Sequence, residues 1–201
     1  METWLIILIV VACLAAAGAI AGLILLAILA AGGLSAARFT LKPVAADQLH
    51  EYLASEASFA IAVQRNFPNS PDQVFTALLD ERFMSWIPFT KGVDYAGTAS
   101  REVGTKRAFV NTFGVLAEQI VINEHTQRLG VTITACSVPL VLNSAAEIFE
   151  VLADEYGGTR LIWHVGGTPK WVGWLPLRLA APLVRPVAKW QIGKLRSIMG
   201  R

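Results

Sequence analysis

The stretch "SPDQVFTALLDERFMSWIPF", Ser70 to Phe89, decides how the rest of the chain is read. Ser70 and Gln73 have the spacing of a capping box, and Pro71 sits at the first helical position. Val74, Phe75, Leu78 and Leu79 recur at helical spacing and predict one buried face. Asp80 can cap a second short turn carrying Phe83, Trp86 and Ile87, which Pro88 ends. Four large apolar residues, Phe83, Trp86, Ile87 and Phe89, therefore cluster just past a helix. They are either closed core or the rim of a cavity, and the flanking elements bear on which.

Upstream, "SFAIAVQRNF" reads as a strand entering a turn at Pro68-Asn69. Downstream, to Lys170, the pattern is strands and turns. "GTKRAFVNTFG" is the first clear strand. In "VLAEQIVINE", Leu116, Glu118, Ile120 and Ile122 share one face. "RLGVTITACS" puts Leu129, Val131, Ile133 and Ala135 on one face. "AAEIFEVLAD" fits a strand or a helix. The Gly157-Gly158 pair after it predicts a hairpin into "TRLIWHVGG", where Thr159, Leu161, Trp163 and Val165 share a face. Short strands joined by turns predict an antiparallel meander.

From Tyr156 onward there are eight Lys or Arg and no Asp or Glu. Val184, Ala188, Ile192, Leu195 and Met199 form a helical stripe, with Arg185, Lys189 and Arg196 near the opposite face. Pro176, Pro182 and Pro186 predict an irregular or kinked segment over "WLPLRLAAPLVRP", followed by an amphipathic helix of about 15 residues. The order is thus a strand, one or two short helices, a run of strands and a C-terminal helix. One helix can pack into a curved sheet and leave the space between them unfilled.

The N-terminus is a different medium. No charged residue occurs from Thr3 to Ala37, a run far longer than the roughly 20 residues that span a bilayer. A signal peptide wants a positive start and a shorter apolar core. Glu2 is the only charged side chain before the run, which favours an uncleaved anchor. The small residues near Ala30–Ala37 leave cleavage open. Arg38 and Lys42 follow the run and no Lys or Arg precedes it, so the positive-inside rule predicts a cytoplasmic domain. Gly18 and Gly22 form a small-xxx-small pair that offers a homodimer contact, although Ala and Gly fill the whole segment. These readings divide the chain into an anchor over 1–37, a juxtamembrane connector over 38–58 and a folded domain over 59–201. In the connector, Pro43 can begin a short helix with Val44, Leu49, Tyr52 and Leu53 on one face.

Several chemistries find no support. Cys13 and Cys136 form no CxxC or His/Cys cluster, and no metal site is expected. No phosphate loop or nucleophile elbow occurs, and no cofactor is expected. A net charge of +2 without a recognition motif gives no reason to expect nucleic acid as a partner.

As an ordered set, "SPDQVFTALLDERFMSWIP", "REVGTKRAF", "FGVLAEQIVINE" and "YGGTRLIWHV" resemble the SRPBCC superfamily, also called START-like or helix-grip. The likeness is to its polyketide cyclase/dehydrase and lipid-transport-like group and covers about Phe59 to Met199. It implies an α+β helix-grip fold, a curved antiparallel sheet wrapped around a long C-terminal helix, here preceded by a single transmembrane helix. It also implies a cavity for an apolar small molecule. The superfamily includes carriers, receptors, cyclases and oxygenase subunits, and fold alone does not choose among them. The oxygenase branch needs two His and a carboxylate on iron, and His50, His125 and His164 do not come together in the pattern.

Within that frame the candidate ligand-binding residues are Phe83, Trp86, Ile87, Phe89, Arg107, Phe109, Phe113, Glu118 and Trp163. Glu118 is the one candidate acid or base, because a carboxyl facing an apolar cavity has a raised pKa. Its alternatives are a rim position or an ion pair with Arg107 or Lys106. Arg107 shares a face with Phe109, Asn111 and Phe113, and facing inward it could hold a ligand carboxylate or phosphate. His164 should face solvent if Trp163 faces the helix. Entry is expected near Trp86–Phe89 and the "KWVGWLPL" segment. The expected function is a membrane-anchored binding protein for a lipid, isoprenoid or polyketide-like molecule. A cyclase/dehydrase enzyme and a ligand-free assembly role are the alternatives. The bilayer is an expected partner through residues 4–31 and the basic C-terminal helix.

Overall fold

The computed structural model describes residues 2–30, 33–97, 101–138, 142–155, 157–172 and 177–199. In chain order the elements are α1 (Glu2–Ala30), β1 (Phe39–Thr40), α2 (Leu49–Glu51, continued by a π-turn over Tyr52–Glu56), β2 (Phe59–Phe67), α3 (Pro71–Leu78), β3 (Thr90–Tyr95), β4 (Lys106–Asn111), β5 (Gly114–Glu124), β6 (Arg128–Cys136), β7 (Leu142–Ala153), β8 (Thr159–Pro169) and α4 (Ala181–Gly193).

The capping box forms: Gln73 N–H donates to Ser70 Oγ at 3.4 Å, and Ser70 N–H donates to Gln73 Oε1 at 3.2 Å. Val74, Phe75 and Leu78 are buried on the helix face the spacing predicts. Asp80 then caps the next turn, accepting from the Arg82 N–H at 2.7 Å.

The strands form one antiparallel sheet in the order β2-β8-β7-β6-β5-β4-β3. Four register shifts, at Thr90/Gly92, Ala117/Glu118, Ile120/Ile122 and Leu142/Ser144, curl it. The concave face carries Ile61, Val63, Val93, Ile120, Leu129, Val131, Phe149, Leu161 and Trp163, and Ala181, Ala188 and Ile192 of α4 pack against them. This is the helix-grip α+β fold. "AAEIFEVLAD" resolves as strand β7, because β8 offers it a ladder along its length and β6 a second one over Ala146 to Glu150.

Two sequence expectations change. The C-terminal prolines do not break the helix: α4 begins at Ala181 and runs through Pro186. Pro182 lies in the first turn, where its N–H would be unpaired in any case, and Pro186 forfeits one bond. The buried face therefore starts at Ala181 and leaves Val184 exposed. Strand β3 also lacks a signal in the sequence, since Lys91, Gly92 and Asp94 are poor strand formers.

Gly92 sits at the β3 bulge with φ +109°, and a Cβ there would overlap the Glu81 carbonyl oxygen. That carbonyl already accepts the Val93 N–H at 2.8 Å, so it has no freedom to retreat. Gly92→Ala should cost about 2 kcal/mol or more, through backbone strain and this overlap. Urea unfolding of the full chain in detergent micelles measures it, and a cost within experimental error would refute the account.

The segment after α1 is built into the sheet. β6 pairs with β7 only from Arg128 to Thr132. Beyond that the two strands part, and β1 pairs with β6 at Ala135 and Cys136. Leu41 N–H then donates to Thr134 O at 2.8 Å, and Lys42 N–H to Asn143 O at 2.9 Å, so the strap bridges both strands. Leu41 is buried with Ile133, Cys136, Leu116, Leu142 and Ala145. Farther along, Val44, Leu49, Tyr52 and Leu53 cover Ala146 and Ile148 on the convex side. Tyr52 and Ser144 share a hydroxyl hydrogen bond of 2.9 Å there.

Candidate functional site

A cavity of about 260 Å³ lies between the concave face, the turns after α3 and α4. Strand alternation explains its wall. Phe109 on β4, Leu116 on β5, Ile133 on β6 and Trp163 and Val165 on β8 all project inward, and Phe83 and Ile87 cover them. Apart from Gln191 of α4, the polar side chains of the wall gather at one corner.

The charged groups of that corner come from three strands. Arg107 on β4 lies opposite Glu118 on β5, and its Nε–H donates to Glu118 Oε2 at 2.7 Å. Its Nη2 donates to Glu147 Oε1 on β7 at 3.3 Å. Trp163 Nε1–H donates to the other Glu147 oxygen at 3.0 Å. The Trp163 ring is fixed by stacking on Phe149, with planes 2° apart and centroids 5.8 Å apart. Arg107 Nη1 reaches the Leu78 carbonyl at 3.4 Å and the Tyr95 hydroxyl at 3.5 Å, and Tyr95 O–H donates to Leu79 O at 3.0 Å. Helix α3 thus meets the polar corner through its C-terminal carbonyls, which carry partial negative charge suited to a guanidinium.

Arg107 is fully buried. Burial opposes its charge, but Glu118, Tyr95 and Glu147 hold its pKa above the ordinary arginine range. Burial raises the Glu118 pKa, and Arg107 works against that rise. Burial and the neighbouring Glu118 charge push Glu147 up to about 7, opposed by Arg107 and the Trp163 hydrogen bond. One guanidinium faces two carboxyls, so the corner carries an excess negative charge unless a proton is bound. Burial raises both carboxyls, so one proton shared by the Glu118–Glu147 pair would balance the single guanidinium.

Of the residues singled out from sequence, Phe83, Ile87, Arg107, Phe109, Glu118 and Trp163 surround this cavity. Trp86, Phe89 and Phe113 do not. Trp86 packs edge-on against Phe83 and donates its Nε1–H to Gln191 O at 2.9 Å, pinning α4 to the turn. Phe89 is 66% exposed, at φ +66°, and its ring meets Phe113 at 5.4 Å. Phe113 lines an adjoining open groove with Cys136 and Leu142, which shares Phe109 and Leu116 with the cavity wall. In the expected entry segment "KWVGWLPL", residues 173–176 lie outside the described residues, and Trp171 and Val172 are exposed. Sequence reading passed over Glu147. Its signal was alternation with Ala145, Phe149 and Val151, readable once β7 is taken as a strand. Among the described residues, no group of His, Cys, Asp or Glu is placed to hold a metal ion.

Comparison with known proteins places this geometry. Residues 58–200 match the family model described as "Polyketide cyclase / dehydrase and lipid transport". No curated protein matches the chain. Solved structures share the fold at low identity. A START superfamily protein from Mycobacterium smegmatis aligns with TM-score 0.55 and 14% identity over 69% of this chain and 98% of its own. Ara h 8.0201 aligns with TM-score 0.54 and 15% identity over 70% of this chain and 96% of its own. TTHA0849 from Thermus thermophilus aligns with TM-score 0.53 and 14% identity over 70% of this chain and 96% of its own. A helix-grip sheet closed over a cavity, matched by the family model along nearly all of the folded part, shows that the chain belongs to the polyketide cyclase/dehydrase and lipid transport family of the START-like superfamily.

Proposed function

We propose that the protein is a membrane-anchored binder of a compact hydrophobic molecule that carries a neutral hydroxyl or carbonyl group. The observation that carries this reading is one buried ionic corner in a largely apolar cavity. Apolar burial supplies the affinity, and the corner orients the ligand. The volume of about 260 Å³ lies just under the usual range of about 300–1,000 Å³, which suits a small ring system or a short isoprenoid or acyl chain.

The corner's electrostatics select the head group. Arg107 is already matched by two carboxyls, so an anionic head would add a further buried negative charge. That argues against Arg107 as a carboxylate or phosphate clamp. A protonated Glu147 can donate to a ligand oxygen, and either carboxyl can accept from a ligand hydroxyl.

Membrane placement rests on α1, whose window Ile7–Leu25 has a mean hydropathy of 2.8 and no buried share. A signal sequence passes the same test of length and composition. The anchor reading assigns residues 1–37 to the anchor segment, with 4–31 in contact with the bilayer, 38–58 to the connector and 59–201 to the binding domain. Arg38 and Lys42 orient that domain to the cytoplasm. Gly18 and Gly22 would supply the close helix–helix contact of a homodimer.

A second reading is supported by Glu147, whose pKa of about 7 suits a general acid–base at neutral pH. The carboxyl pair would then serve cyclase or dehydrase chemistry on the same ligand. Purification of the full chain in mild detergent, with mass spectrometry of co-extracted small molecules, tests both readings. Empty extracts from several hosts would sink them. With a ligand identified, Glu147→Gln and Glu118→Gln should abolish turnover in an enzyme and leave most of the affinity in a binder. Val165→Phe should fill the cavity and lower ligand affinity at least about tenfold in equilibrium titration. Unchanged affinity would place the ligand elsewhere.

A further inference from the structure

The strongest feature outside the cavity is the outer side of α4. Leu183, Val187 and Trp190 stand at i, i+4 and i+7 and form one ridge, 80%, 53% and 47% exposed. They lie opposite the buried Ala181, Ala188 and Ile192, so nothing in the fold requires them to be apolar. Leu179, on the turn before α4, and Trp171 and Val172, just after β8, are exposed too. Monomeric surfaces rarely gather large apolar side chains in this way.

The flank of this ridge is basic. β2 is an edge strand, paired only with β8, and α4 runs along its free side. The open grooves between them hold Arg65, Arg185 and Lys189 at one end and Arg65, Lys194 and Arg196 at the other, with no Asp or Glu in either wall. Arg65 lies across Gly193, where even a Cβ would sit 3.0 Å from its Nε. Among the described residues, none of these five cations makes an ion pair or a side-chain hydrogen bond. An apolar ridge beside unpaired cations has the complementarity of an anionic bilayer surface, with acyl chains for the ridge and phosphates for the groove.

We propose that the α4 ridge and the β2–α4 groove dock on an anionic membrane, as a second contact distinct from α1. The proposal extends the membrane placement above and leaves the cavity's ligand open. Docking would lay α4, which also covers the cavity, against the bilayer that holds α1. Through Trp86 and Gln191, the same helix is tied to the turn that carries Phe83 and Ile87.

The test uses the full chain, with Cys13→Ser and Cys136→Ala, in vesicles of phosphatidylcholine alone or with phosphatidylglycerol. Bimane is placed at Leu183→Cys on the ridge, at Leu14→Cys in α1 or at Val103→Cys, an exposed position between β3 and β4 at the other edge of the sheet, and nitroxide lipids serve as quenchers. Leu183 should be quenched by shallow nitroxides in anionic vesicles only, and Val103 in neither. Arg185→Glu and Lys189→Glu should each lower the docking equilibrium constant at least about fivefold, as expected from about 1 kcal/mol per surface charge. Lys106→Glu, on β4 near the opposite edge of the sheet, should leave it unchanged. No quenching at Leu183 in anionic vesicles overturns the proposal, as does quenching indifferent to lipid charge. Protection that appears only at high protein density assigns the ridge to a second copy and also overturns it. The Leu14 label separates the two membrane contacts: Leu14 quenched without Leu183 keeps the anchor and removes the docking. Leu183 quenched without Leu14 does the reverse.

Discussion

Arg107→Met is expected to cost about 3–5 kcal/mol of folding stability, the range for removing one partner of a buried charge cluster. Arg107 has no solvent to replace it: it is fully buried, and its three guanidinium nitrogens serve Glu118, Glu147, the Leu78 carbonyl and the Tyr95 hydroxyl. Methionine fills the volume without the charge, so the loss is electrostatic rather than a cavity effect. It leaves Glu118 and Glu147 facing each other in an apolar wall. Both must then take a proton to remain buried, or open the sheet to water. Arg107→Lys should recover only part of the loss, because an ammonium cannot reproduce the planar fork that reaches three strands. The triple variant Arg107→Met, Glu118→Leu, Glu147→Leu should recover most of it, because an apolar replacement of a whole buried ionic cluster is often neutral or stabilising. Urea unfolding of the full chain in micelles, followed by tryptophan fluorescence, measures all three. A loss for Arg107→Met below about 1 kcal/mol would show that the corner is wet and that its charges are screened as at a surface.

The cluster also shows what local sequence can and cannot reveal. Ser70, Pro71 and Gln73 were readable because a capping box is complete within four residues. Glu118 was readable as inward-facing because alternation along one strand is local as well. Its partner was named only as one of two neighbours, Arg107 or Lys106. Register decides between them, and register is a property of two strands at once. Glu147 lies in "AAEIFEVLAD", where three alanines and two glutamates favour helix as strongly as Ile, Phe and Val favour strand. The ladders from β6 and β8 settle the matter, and neither is visible locally. The same reason hides the strap: nothing in "RFTLKPV" says that Leu41 and Lys42 will bridge two strands more than ninety residues away. The prolines of α4 misled in the opposite direction. A local rule was applied where packing against β2 and the sheet compensates one lost bond. Trp86 and Phe89 show the limit for sites. Clustered aromatics mark a place in the fold, but only coordinates separate the ring that faces a cavity from the ring that pins a helix.

The pH dependence of stability should run opposite to that of a protein held by ordinary salt bridges. Glu147 has an ordinary value of 4.5 and is pushed up to about 7 in the fold by burial first and by Glu118 second. Between those values the folded state keeps a proton that the unfolded chain has released. Folded protein therefore binds more protons than unfolded, and the unfolding free energy must fall as pH rises. The contribution is fully present below pH 4.5 and is lost as pH climbs through about 7. At 1.36 kcal/mol per unit the drop is about 3 kcal/mol across the window. Glu118 is raised by the same cause and adds to the same sign. Asp80 and Glu124 are lowered by Arg82 and Arg128, so their losses fall in stronger acid, outside this range. Glu147→Gln should flatten the slope between pH 5 and 7.5, because its side chain cannot titrate. Near pH 8 it should equal or exceed the native chain in stability, even though its amide N–H₂ cannot accept from Trp163. Urea midpoints collected at half-unit steps in micelles decide the matter. A native chain that becomes more stable from pH 5 to 7, or a Glu147→Gln variant with the native slope, would remove the buried proton from the account. A confirmed slope would mean that the cavity's polar corner changes charge near neutrality, turning from a donor toward ligand oxygens into an acceptor as the proton leaves.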